Sequence, residues 1–162
     1  MTATATPTTG EANLWPTLIS FSIAYLVVSA MVTAVLVFFD INSNTGVSVA
    51  ILIAATAAAA QKFVAGHGRA LSRREQLRFA FLATVASMLL SIVQMAAILP
   101  IYFSAAELPQ LADEARAWVA ANVGLVAFIA LFVVGLFFAV LYFASGGFSR
   151  MFAKRLATAA PT

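Results

Sequence analysis

The sequence predicts an all-α integral membrane protein with four transmembrane helices and both termini cytoplasmic. Three observations carry this reading. Long stretches of the chain are apolar and nearly free of charge. Of its 162 residues 63% are hydrophobic and 9% charged, with a mean hydropathy of +1.00, whereas soluble domains carry about 25% charged residues. A soluble chain this small has too high a surface-to-volume ratio to hide that much apolar surface, and a lipid bilayer takes it instead. Lastly, lysine and arginine collect on one set of connecting segments, as they do on the cytoplasmic side of inner-membrane proteins.

The elements follow in order. Residues 1–13, opening "MTATATPTTG", are read as a disordered N-terminal tail. A transmembrane domain covers 14–144. A helical span needs about 20 mostly apolar residues. Residues 14–39 hold no charge over 26 positions and form span one. This run is far longer than the roughly 7–15 residues of a signal-peptide core and lacks a basic lead, so it is read as retained. A short turn, Asp40–Thr45, forces span two (46–64) back against it. Span two is rich in alanine, from Ala50 to Ala60, which permits close helix approach and a central place. Span three covers 79–103 and span four 118–144, both without a charge. Between them, Leu108, Leu111, Ala115 and Trp118 recur at helical spacing and suggest a short amphipathic helix on the outer surface. Residues 145–162, with "FSRMFAKRL" following Gly146-Gly147, read as a basic cytoplasmic tail. A closed β-barrel is a poor alternative, because its strands would alternate apolar and polar residues.

Sorting charge by side gives the orientation. The N-terminus, the 62–78 linker and the tail share one side, with Lys62, Arg69, Arg73, Arg74, Arg78, Arg150, Lys154 and Arg155 against Glu11 and Glu75. The other side has only Arg116 against four acids. The 62–78 linker is therefore a cytoplasmic basic loop facing anionic headgroups, its charges acting by position and sum. Within it, Gly66 is placed to stop span two in a left-handed conformation. Ser72 and Glu75 of "SRRE" fit a capping box that starts the next helix at Arg73. His67 has no second histidine and no cysteine to complete a metal site, so it is read as a turn-stabilising residue rather than a pH switch.

The stretch "KFVAGHGRALSRREQLRFA" resembles the linker of a family of small uncharacterised bacterial inner-membrane proteins with four spans. Their pattern is close to F-V-x-x-H-G-R followed by Ser or Thr, a basic residue and Glu. Phe63, Val64, His67, Gly68, Arg69, Ser72, Arg73 and Glu75 are the matching positions. Residues 61–80 carry the resemblance; elsewhere it rests on span count and length. It implies a multi-pass protein of the bacterial cytoplasmic membrane and no particular activity.

Function classes narrow by subtraction. No Asp, Glu, Lys, Arg or His sits in the core of any span, whereas proton relays and many transport sites use such a residue. Hydrolytic chemistry needs a base or an activated nucleophile, and none is legible, so no catalytic residue, cofactor or metal is assigned. The basic residues do not spread as on a nucleic-acid-binding face. The nearest thing to a polar site is Thr84, Ser87, Ser91 and Gln94, whose spacing of 3, 4 and 3 puts them on one face of span three. That face either bonds a neighbouring helix or lines a polar path. The expected function is a non-catalytic structural or accessory membrane component, partnered by lipid and by a homo-oligomer or larger complex. The alternative is a small oligomeric transporter or channel using that face.

Overall fold

A computed structural model describes residues 12–39, 45–104 and 106–159. Among these there are five helices and no strand: α1 (Trp15–Phe38), α2 (Thr45–His67), α3 (Arg73–Tyr102), α4 (Glu107–Ala121) and α5 (Val123–Ala159). Four of them, all but α4, are long and apolar enough to cross a membrane. The chain is an all-helical membrane protein. The first eleven residues, most of the Asp40–Thr45 turn and the last three residues lie outside the described residues.

Local chemistry accounts for the helix limits. The Trp15 N–H donates to Asn13 Oδ1 at 3.0 Å, and Pro16 in the first turn has no N–H to satisfy. Helix α3 starts at the capping box read from the sequence. Glu75 N–H donates to Ser72 Oγ at 3.3 Å, and Ser72 N–H donates to Glu75 Oε2 at 2.8 Å. Pro100 falls in the last turn of α3, where one missing hydrogen bond does not break the helix.

Helix α2 packs against α1 and α5, and α3 packs against the same two. Around the bundle the order is therefore α1, α2, α5, α3. Helices α1 and α3 run parallel, because Ala12 meets Glu75, Phe21 meets Phe79, Tyr25 meets Ser91 and Ser29 meets Gln94 in ascending order. The main core joins Phe21, Tyr25, Leu52, Ala55, Ala59, Phe79, Ala83 and Leu141. A second cluster of Phe63, Val64 and Leu71 takes Ala12, Leu14 and Phe152 against it. Alanines let α2 sit close to its neighbours, and it is the most buried of the four long helices, as its composition predicts.

Two boundaries differ from the sequence reading. Residues 118–121 belong to α4, which ends at Asn122, where the side-chain amide donates to Trp118 O at 2.9 Å. Span four therefore starts at Val123. Gly146-Gly147 does not end the last helix either, and α5 continues for 37 residues to Ala159, roughly 55 Å at 1.5 Å per residue. A glycine costs about 1 kcal/mol inside a helix, but packing outweighs it here. Ser145, Gly146 and Ser149 are buried at the bundle end, and a Cβ on Gly146 would come within 2.9 Å of Gln76 Oε1. The segment read as a tail is thus the helical end of α5, packed at Ser145, Gly146 and Ser149 and exposed over 154–158.

Packing fades toward the opposite end. The first half of α5 exposes Phe128, Leu131 and Phe132, while Phe137, Phe138 and Tyr142 lie against the core. Helix α4 has no buried residue.

Candidate functional site at the charged end of the bundle

The 62–78 segment is an ordered knot. Helix α2 runs one residue past Gly66, and the left-handed residue is Gly68, at φ +65°. Its N–H donates to Val64 O at 2.8 Å, the usual bond of a helix stop of this kind. This corrects the expectation for Gly66. His67 stacks on the Phe63 ring, with centroids 4.4 Å apart, and its Nδ1 lies 3.1 Å from Phe63 O. It serves the turn.

Glu75 is the hub. Arg69 Nη1 and Nη2 donate to its two oxygens at 2.8 and 2.7 Å, and Ala12 N–H adds a third partner at 3.1 Å. The Arg69 guanidinium also lies 5.5 Å from the Phe63 ring centroid, within cation–π range. Glu75 is 3% exposed, in the charged turn ahead of the apolar run. The Arg69 fork, aided by the backbone donors of Ser72 and Ala12, holds its carboxyl down to about 2 against an ordinary 4.5. The same pairing raises the Arg69 guanidinium. Sequence reasoning treated the loop cations as equivalent. The structure sets Arg69 apart, and it brings seven of the eight residues of the F-V-x-x-H-G-R…S-R-x-E pattern into this one arrangement. Arg73 is the exception and points to the surface.

Lys62, Arg73, Arg74 and Arg78 are exposed around this knot. Arg73, Arg74 and Arg78 line a cleft of about 490 Å³ with Leu77 and Tyr142, between α3 and α5. Gln76, which the sequence reading passed over, is 3% exposed and donates from Nε2 to Leu71 O at 2.9 Å, fixing the loop to α3.

Of the polar positions of span three, Ser91 and Gln94 meet α1, while Thr84 and Ser87 are buried and bond their own helix. Thr84 Oγ1 donates to Ala80 O at 2.8 Å, Ser87 Oγ to Thr84 O at 2.9 Å, and Ser91 Oγ to Ser87 O at 2.8 Å. Ser91 has thus spent its proton, so the Tyr25 hydroxyl, 2.9 Å away, is the donor between the two helices. Ser29 Oγ donates to Gln94 Oε1 at 3.1 Å. Tyr25 and Ser29 were missed as partners. Their signal was one turn of spacing on α1, matching the Ser91–Gln94 pair, in a segment that also carries Thr17, Ser20, Ser22 and Thr33. Beyond Gln94 the two helices part, leaving a groove of about 610 Å³ lined by Thr33, Ala34, Val37 and Ala97 among others. Among the described residues Gln94 Nε2 meets no acceptor, and no group of three His, Cys, Asp or Glu could hold a metal.

No protein-family model, curated protein or solved structure matches this chain.

Proposed function

We propose that this chain is a non-catalytic accessory component of the bacterial cytoplasmic membrane, with both termini inside, working by helix association with its own copies. The observation that supports it is where the span-three hydroxyls go. Each gives its proton to a carbonyl of its own helix, and the part of the face at Ser91 and Gln94 is taken by Tyr25 and Ser29 of α1. Thr84 and Ser87 are buried and satisfied within α3 itself, and the bonds from Tyr25 and Ser29 join Ser91 and Gln94 to α1. The transporter reading would need that face to open. The bundle is tight at its charged end and parted at the other, and Gln94 offers an amide donor beside Ala34 and Ala97 in the groove. A carboxamide is self-complementary, so two copies can exchange a reciprocal pair across a two-fold axis.

The chain has no cysteine, which makes the test clean. Ala34→Cys is expected to cross-link into a dimer in membranes, with Leu131→Cys, exposed on α5, as a silent control. Gln94→Leu is expected to reduce the Ala34→Cys cross-link. Equal cross-linking at both positions, or at neither, would remove self-association through the groove. Solute or ion flux into vesicles holding the wild type, lost in Gln94→Leu, would establish the transporter instead.

A further inference from the structure

We propose that the cleft between α3 and α5 is a specific site for one anionic phospholipid, its phosphate held by Arg73 and Arg74. The inference rests on the reading above only in taking the charged end to lie at a headgroup region. The cleft is lined by Arg73, Arg74, Leu77, Arg78 and Tyr142. Arginine forks match phosphate oxygens in pairs, and a basic pocket between membrane helices suits an anionic headgroup.

Two features of this structure separate the site from a diffuse basic surface. The first is local electrostatics. Glu75, one residue beyond Arg74, would ordinarily neutralise its neighbours. Here it is turned inward, 3% exposed, and claimed by the Arg69 fork. Among the described residues neither Arg73 nor Arg74 has a carboxylate within ion-pair distance. The second is depth. Arg78 is the last charge before the apolar run of α3, Leu77 within the cleft is exposed, and Phe81, one turn farther into that run, is exposed as well. A headgroup in the cleft therefore has apolar walls beneath it for its acyl chains. A free phosphate would use the arginines but not those walls. Tyr142 closes the α5 side, wedged between Phe138 and Phe143, with its hydroxyl available to the phosphodiester.

The test is native mass spectrometry of the full chain in detergent, titrated with phosphatidylglycerol, with phosphatidylcholine and inorganic phosphate as separate arms. Wild type is expected to retain one phosphatidylglycerol saturably, and neither of the other probes. Arg73→Gln with Arg74→Gln is expected to weaken that adduct at least tenfold. Lys154→Gln with Arg155→Gln removes the same charge from the final turns of α5 and should leave it within about twofold. Tyr142→Phe alters one hydroxyl and should weaken retention several-fold, which keeps the proposal testable if the double arginine variant fails to fold. Equal weakening by both charge-matched pairs would overturn the site in favour of diffuse attraction. Saturable inorganic phosphate binding at the same affinity would overturn the lipid. Neither outcome depends on dimer formation, so the groove and the cleft fail separately.

Discussion

The sharpest consequences at the residue scale lie in the loop between α2 and α3. Removing Arg69 leaves a buried carboxylate with fewer donors, at a cost of roughly 1–3 kcal/mol, whereas Arg73 is exposed and its removal should fall within about 0.5 kcal/mol. Arg69→Ala is thus expected to lower thermal stability in detergent, measured by circular dichroism, while Arg73→Ala does not. The effect has a pH signature. Glu75 is held near 2 rather than 4.5 in the folded chain, so its stabilisation is complete above about 4.5 and is lost as pH falls toward 2. The gap between wild type and Arg69→Ala should be constant from pH 5 to 8 and close below pH 4. Gly68 provides a second contrast. Gly68→Ala puts a side chain at φ +65°, which costs roughly 1–2 kcal/mol. Gly66→Ala lies in helix with open space around it and should be neutral or stabilising. The capping box was legible in the sequence because its chemistry is local, three residues apart. The glycine was misplaced by two residues because "GHG" offers two candidates for the left-handed position, and the helix uses the second. The Arg69–Glu75 pairing was legible only as charge, since its orientation depends on a fold that buries one partner.

Helix α5 shows what element-level reading captures and what it misses. Its apolar run announced a span, and a pair of glycines announced an end. The second inference failed because helix propensity is a weak local term beside a close contact with α3. The two glycines should therefore respond in opposite ways. Gly147 has nothing within 4 Å, and Gly147→Ala should stabilise the helix by up to about 1 kcal/mol. Gly146→Leu must displace Gln76, which is tied to the Leu71 carbonyl, and overpacking of this kind costs roughly 1–3 kcal/mol. Thermal unfolding of the two variants side by side reads the difference. The four spans and the helix at 107–121 were legible because length, charge and periodicity are properties of a segment. The shared polar bonds of α1 and α3 were legible on α3, where four polar residues make a face, and not on α1, where Thr17, Ser20, Ser22, Tyr25, Ser29 and Thr33 do not all lie on one face and the sequence does not say which of them meet α3.

For the whole molecule the structure places Ala12, the 68–72 loop and Phe152 at one end of the bundle. With that end inside the cell, a reporter active only outside should be silent when fused after Thr162 or within Arg69–Arg74. It should be active within Pro109–Glu114. Strong outside activity from the Thr162 fusion would refute the orientation. The order of the helices around the bundle also bears on time. A ribosome releases α1, α2 and α3 before α5, yet α2 and α3 lean mainly on α1 and α5 rather than on each other. During synthesis α1 is therefore the common post on which the two earlier helices wait, each with one flank bare to lipid. The last helix made is the one that closes the ring. It closes it from its midpoint onward, where Leu141, Ser145 and Ser149 are buried, so the bundle is completed only when nearly the whole chain has left the ribosome.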